Sequence, residues 1–138
     1  MVILAVDYGE ARTGLAVCDK NEVLATPLSP VVVKSTDMLI DTIIETAKQY
    51  KAELIVVGLP VNMDGSHGFR AEVVKEFAQL LKEKSGMPVE FWDERLTTMS
   101  ASRLLNETDV KGKKRKMKLD SAAAALILQS FIDSRKRG

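Results

Sequence analysis

Apolar residues run without interruption through Val2-Ile3-Leu4-Ala5-Val6 and stop at Asp7. A run with no polar alternation fits a strand covered on both faces. The segment Tyr8 to Gly14 carries two glycines and reads as a turn, and Leu15-Ala16-Val17-Cys18 reads as a returning strand. The chain thus opens as an antiparallel meander, with a third strand expected at Val23-Leu24-Ala25 or at Val31-Val32-Val33. From Thr36 the period changes. Leu39, Ile40, Ile43, Ile44 and Ala47 recur at helical spacing, Ser35 or Thr36 can cap the first turn, and the helix should end near Tyr50. Leu54-Ile55-Val56-Val57-Gly58 is a short buried strand, followed by a turn-rich segment. A second helix carries the stripe Val73, Val74, Phe77, Leu80 and Leu81, and Gly86 stops it. Val89-Glu90-Phe91-Trp92 forms the last strand, Thr97 or Thr98 starts a short helix through Leu105, and a terminal helix begins after Asp120. The order β-β-β-α-β-α-β-α-α predicts an α/β fold, a mixed sheet with helices on both faces, whose sites form at the carboxyl ends of its parallel strands.

Acidic residues end or open these apolar segments: Asp7 after the first strand, Asp93 and Glu94 after the last, and Asp120 before the terminal helix. Carboxylates beside buried elements are costly unless a cation meets them. Such a fold brings all three positions to one edge of the sheet, where Asp7, Glu94 and Asp120 would act as metal ligands and catalytic groups. Clustered carboxylates call for Mg²⁺ or Mn²⁺, and magnesium needs only one or two of them plus substrate phosphate oxygens. That chemistry is phosphodiester hydrolysis. Period-two alternation sends Asp93 and Glu94 to opposite faces, so one of them reaches the metal; Glu94 is favoured, with Asp93 as its substitute. The plainer alternatives are a turn-forming role for Asp7 and a helix-capping role for Asp120.

Charge sharpens this picture. Twenty Lys and Arg against 19 Asp and Glu leave a net charge of +1, yet Lys111 to Lys118 and Arg135-Lys136-Arg137 concentrate the positive charge in the last quarter. Lys113, Lys114, Arg115, Lys116 and Lys118 are candidates to grip a polyanion, in competition with a solvated loop that only aids solubility. Arg12, between Gly9 and Gly14, is a phosphate-binding candidate beside Asp7, and Asn62 to Gly68 can offer backbone N–H groups at a helix start. Arg70 and Arg95 are further fork-shaped donors. His67 is the single histidine, which excludes a histidine-rich zinc site. Trp92 is expected in the core rather than as a base-stacking platform, and Cys18 as a buried thiol. At 138 residues one domain spanning 1–138 is expected. A single buried thiol fits a reducing compartment, so the chain is expected to be cytoplasmic, and with no basic leader and no stretch approaching the roughly 20 apolar residues of a membrane span it is expected to be neither exported nor embedded.

Four blocks are more specific. Asp7-Tyr8-Gly9 with Arg12-Thr13-Gly14-Leu15-Ala16, Gly58-Leu59-Pro60-Val61-Asn62-Met63-Asp64-Gly65-Ser66, Asp93-Glu94-Arg95-Leu96-Thr97-Thr98 and Asp120-Ser121-Ala122-Ala123 resemble, in order and spacing, the signature blocks of the YqgF family. That family comprises bacterial Holliday-junction-resolvase-like proteins with a ribonuclease H-like fold, implicated in maturing the 5′ end of 16S ribosomal RNA. The resemblance implies a metal-dependent nuclease with acids on the first strand, after the last strand and on the terminal helix. Its partners would be structured RNA or branched DNA, with ribosomal precursor particles as the setting. Two other classes stay in view. The strand ending in Asp-x-Gly also resembles the phosphate-binding start of actin-like kinases, which clamp nucleotide between two such domains. A non-catalytic, ribosome-associated RNA-binding module would use the basic run alone. Junction cleavage would suggest a homodimer, and a monomer is otherwise expected.

Overall fold

The computed structural model describes residues 1–97 and 121–137. Five strands, β1 (Ile3–Asp7), β2 (Gly14–Cys18), β3 (Ala25–Pro27), β4 (Leu54–Leu59) and β5 (Val89–Asp93), form one sheet in the order β3-β2-β1-β4-β5. Strands β1, β2 and β3 pair antiparallel, whereas β1, β4 and β5 run parallel. Strand β1 thus has the antiparallel β2 on one side and the parallel β4 on the other, and sites in such sheets form at the carboxyl ends of the parallel strands.

Three α-helices are described: α1 (Thr36–Tyr50), α2 (Phe69–Ser85) and α3 (Ala122–Arg137). Alternation along the strands divides the core into two layers. Leu4, Val6, Ile55, Val57 and Leu59 pack against Ile40 and Ile43 of α1 and Val74, Phe77 and Leu81 of α2. Ile3, Ala5, Leu54 and Val56 pack against Ala124, Ile127, Leu128 and Ile132 of α3. Helices on both sides explain why the first strand needs no polar alternation: Ile3 through Val6 are fully buried. Cys18 is buried too, and its Sγ accepts a hydrogen bond from the Ile3 N–H at 3.3 Å.

Helix boundaries follow the capping residues. Ser35 Oγ accepts from the Met38 N–H at 3.4 Å and starts α1, while Lys51 closes it in the left-handed region at φ 57°. Gly86 ends α2 at φ 69°, a conformation that favours glycine, with its N–H on the Lys82 carbonyl.

Two expectations need revision. Leu80 is 43% exposed, and Ala71 and Ala78 complete the buried stripe of α2 instead; at ~100° per residue Leu80 lies about 120° around the helix from Val74. The third strand begins where Val23-Leu24-Ala25 ends, because Asp19 Oδ1 accepts from both the Val23 and Leu24 N–H groups at 2.9 Å and holds them in a turn. Val31 makes one isolated bridge to Thr13. A 3₁₀ turn, Glu94–Leu96, follows β5 directly; the body of the short helix expected up to Leu105 lies outside the described residues. No helix among the described residues is long and apolar enough to cross a membrane.

Candidate active site

One residue beyond the Val6–Val57 pair, β1 ends at Asp7 and β4 reaches Gly58. Both positions share the phase of Ile3, Ala5, Leu54 and Val56, so both lie on the sheet face covered by α3. Gly58 is a glycine because that face is crowded. A Cβ there would sit 2.5 Å from Ile127 Cδ1 and 3.3 Å from Glu94 Oε1. The Glu94 carboxylate therefore lies over the bare backbone of β4, beside the end of β1.

The neighbouring pair of acids separates where the strand ends at Asp93 and the 3₁₀ turn begins at Glu94. Asp93 turns away from this cluster and caps the 3₁₀ turn. Its Oδ1 accepts from the Arg95 N–H at 2.9 Å, and Arg95 Nε and Nη2 donate to its Oδ2 at 3.0 and 2.7 Å. This fork of hydrogen bonds holds the Asp93 carboxyl below its ordinary range. Glu94 behaves oppositely: burial pushes its carboxyl up, and the negative charge of Asp7 adds to the rise. Burial likewise raises Asp7. The structure thus brings Asp7 and Glu94 into one electrostatic unit.

Arg70, in the first turn of α2, moderates both acids. Its Nη2 donates to the Tyr8 carbonyl at 2.5 Å, and its guanidinium stands 5.9 Å from the centre of the Tyr8 ring. Tyr8 in turn stacks on Phe77, with ring centres 4.2 Å apart. The arginine is anchored to the residue that follows Asp7, and that anchor rests on the core.

The remaining candidates occupy several places. Arg12 is exposed in the turn after β1, a turn closed so tightly that a Cβ on Gly9 would meet the Arg12 carbonyl oxygen at 2.2 Å. Asn62 organises its own loop: its N–H bonds the Ser66 carbonyl, its carbonyl accepts from Gly65, and its Nδ2 donates to Ser66 Oγ. Backbone groups of this loop that were expected to face phosphate are in part used internally. Arg95 lies against the same loop, 3.8 Å from where a Gly65 Cβ would be. Asp120 and the basic run Lys113, Lys114, Arg115, Lys116 and Lys118 lie outside the described residues. Ser121, the covalent neighbour of Asp120, is fully buried, and its Oγ accepts from the Leu15 N–H at 3.3 Å. Leu15 pairs with Val6, so this bond pins the start of the terminal segment one residue from Asp7. The importance of Ser121, Tyr8 and the Gly58 cradle was not legible from residue type. The one available signal was their place inside the four blocks that carry the family resemblance.

A family model described as RuvX, Holliday junction resolvase, matches residues 1–134. The chain belongs to this family. A protein of Protochlamydia amoebophila named as a candidate pre-16S rRNA nuclease is 42% identical, the match covering 96% of this chain and 93% of that one. A Caldanaerobacter subterraneus protein of the same name is 42% identical over 99% of each chain. Among solved structures, Thermus thermophilus RuvC in complex with Holliday junction substrate matches with a TM-score of 0.68 at 14% identity, covering 99% of this chain and 96% of that one. The fowlpox virus Holliday junction resolvase matches at 0.57 and 15% identity, over 97% and 99%. These likenesses establish the ribonuclease H-like, resolvase-type fold.

Whether the RuvX-family site suits a divalent ion is a question of its donors. Among the described residues no three His, Cys, Asp or Glu side chains group to hold a metal. Two carboxylates do converge, both partly withdrawn from water and both raised by burial. A hard cation relieves that cost, and magnesium accepts a pair of protein oxygens when waters and phosphate oxygens complete its octahedron. The donor set fits Mg²⁺ or Mn²⁺, and fits zinc poorly.

Proposed function

We propose that this chain is a metal-dependent nuclease that hydrolyses phosphodiester bonds in the 5′-end maturation of precursor 16S ribosomal RNA, with Mg²⁺ or Mn²⁺ held by Asp7, Glu94 and Asp120. The observation that carries the reading is the convergence of Asp7 and Glu94 on the α3 face, at the carboxyl ends of β1 and β5. The names of the relatives support the substrate. When bound, the ion supplies Lewis acidity toward a phosphate oxygen and an acidified water. The chain supplies the rest. Asp7 and Glu94 fix the position of the charge, Arg70 holds the backbone after Asp7, and Arg12 and the Lys113 to Lys118 run bind the strand's phosphates. The site works in the cytoplasm as one domain, on ribosomal precursor particles. The family description favours a second reading, resolution of four-way DNA junctions by a homodimer.

The test is cleavage of precursor 16S rRNA and of four-way DNA junctions by the parent, Asp7→Asn and Asp120→Asn, with Mg²⁺ or Mn²⁺ titrated. Losing several kcal/mol of metal-borne stabilisation predicts a drop of roughly a thousandfold for each variant. Undiminished cleavage by both variants would end the nuclease reading, and cleavage of junctions alone would select the second.

A further inference from the structure

Beyond Asp7 the chain closes over a small hollow of about 80 Å³, walled by the turn at Gly9 and Glu10, by Thr13, and by Lys34, Ser35 and Thr36 at the start of α1. At ~30 Å³ per water this is room for about two or three waters, or for one phosphate group. Strand pairing places Thr13 here. Gly14 stands opposite Asp7, so Thr13 shares the phase of Leu15 and Val17 and lies on the sheet face covered by α1 and α2. The Asp7 carboxylate lies on the α3 face, so the hollow sits across the end of β1 from the acid pair.

Thr13 is 1% exposed, yet its recorded bonds are those of its backbone: its N–H donates to the Val31 carbonyl at 3.0 Å, and its carbonyl accepts from the Val31 N–H at 2.9 Å. Its hydroxyl bonds to none of the described residues. No sealed side-chain N or O among those residues lacks a partner, so this hydroxyl keeps its access to solvent through the hollow that it lines. Helix α1 points its positive end at the same place. Ser35 Oγ accepts from the Met38 N–H and the Ser35 carbonyl from that of Leu39, which leaves the N–H groups of Thr36 and Asp37 without an intrahelical partner. Lys34 adds a full positive charge and joins none of the ion pairs among the described residues. Two acids oppose it. The Asp37 carboxylate is neutralised by Lys84 Nζ at 2.7 Å, and Glu10, the one acid in the wall, sits on an exposed turn where water and salt screen it.

We propose that this hollow is a phosphate pocket that takes the terminal phosphate of the RNA strand cleaved at Asp7 and Glu94. The proposal rests on the nuclease reading for the identity of the strand, and adds that the enzyme holds that strand by its end. A terminal phosphate has one ester link and enters a half-enclosed hollow end-on, whereas a phosphate within the strand has two and both must leave again. It also carries close to two negative charges at neutral pH, since its second pKa is about 6, and so benefits most from a helix N-terminus, a lysine and a buried hydroxyl.

The test uses the full chain in EDTA, so that nothing is cleaved, and internally labelled RNA strands of one sequence with a 5′-phosphate, a 3′-phosphate or hydroxyls at both ends. Anisotropy should show one phosphorylated strand binding roughly tenfold tighter than the hydroxyl strand, the scale of one charge-assisted contact, and the end that confers the advantage gives the polarity of binding. Inorganic phosphate should compete that advantage away and shift the Thr13 and Thr36 amide resonances. Thr13→Val, which keeps the shape and removes the hydroxyl, and Lys34→Gln should each remove most of the advantage while the hydroxyl strand, the control for folding, binds as before. Equal binding of the three strands would overturn the proposal, as would an advantage that survives both variants. Amide shifts with inorganic phosphate but no strand advantage would also overturn it, by assigning the hollow to a small phosphate compound. Because the readout needs no metal and no turnover, it fails independently of the Asp7→Asn cleavage assay.

Discussion

Strand β1 has buried or half-buried carboxylate charge at each end, and the two ends are matched in opposite ways. Before its first residue, Glu22 meets two cations: the Met1 amine at 3.1 Å and Arg135 Nε at 2.7 Å. The Arg135 hydrogen bond holds the Glu22 carboxyl below its ordinary range. At the other end, Asp7 and Glu94 share the field of Arg70, whose Nη2 is engaged with the Tyr8 carbonyl, and burial raises both carboxyls. Glu22 is satisfied by the protein itself and ties α3 to the N-terminus. The Asp7–Glu94 pair carries negative charge that the described residues leave undercompensated, which is what a site reserved for an external cation requires.

The sharpest way to break this contrast is to exchange the two acids after β5. Glu94→Gln should lower cleavage by roughly a hundredfold or more, whereas Asp93→Asn, which frees Arg95 but leaves the cluster intact, should lower it less than tenfold. Metal-dependent cleavage rates measure both, and the reverse order would transfer the metal-facing role to Asp93.

Next in size is the floor of the cluster. Gly58→Ala places a methyl 2.5 Å from Ile127 Cδ1 and 3.3 Å from Glu94 Oε1, so Ile127 or the backbone must shift. The expected destabilisation is about 1–3 kcal/mol by chemical denaturation, with reduced cleavage. Unchanged stability and activity would show that the floor has room to spare.

The smallest effect compares the two ends by pH in the metal-free protein. Folding raises Asp7, so the native state binds more protons than the unfolded state between the ordinary and raised values, and stability falls as pH rises through that window. Asp7→Asn should therefore stabilise the apoprotein at pH 7 and not at pH 3. Glu22 is lowered, so its contribution is present above the ordinary glutamate range and lost as pH falls through the depressed value. Glu22→Gln should cost at most ~1 kcal/mol at pH 7, since the pair is near the surface, and leave cleavage unchanged. Thermal unfolding at the two pH values reads both signs, and equal signs would dissolve the distinction between the ends.

Much of the architecture was legible because burial on both faces imposes unbroken apolar runs. Ile3 to Val6 and Leu54 to Val57 announced the two central strands, and the Leu39, Ile40, Ile43 and Ala47 stripe announced α1. Edges were harder to read: β3 is displaced toward Pro27 because the Asp19 side chain captures two backbone N–H groups, a local competition that apolar pattern does not reveal. Asp93 and Glu94 do point to different partners, Arg95 for the first and the bare backbone at Gly58 for the second. Their differing surroundings depended on an Arg95 fork and a 3₁₀ turn formed after the strand ends.

Along the chain, the order of residues determined the strands and helices, the positions of Asp7 and Glu94 at strand ends, and the family blocks, since each depends on local period and spacing. Tertiary structure decided which sheet face those ends share, that Gly58 is bare so Glu94 can lie across it, and that Ser121 is pinned beside Leu15. It also left Phe69 outside the core while packing a half-buried Trp92 edge-on against Phe131. The physical reason is that burial and charge compensation are properties of neighbours in space, and residues 7, 58, 94 and 121 become neighbours only when the sheet closes between its helices.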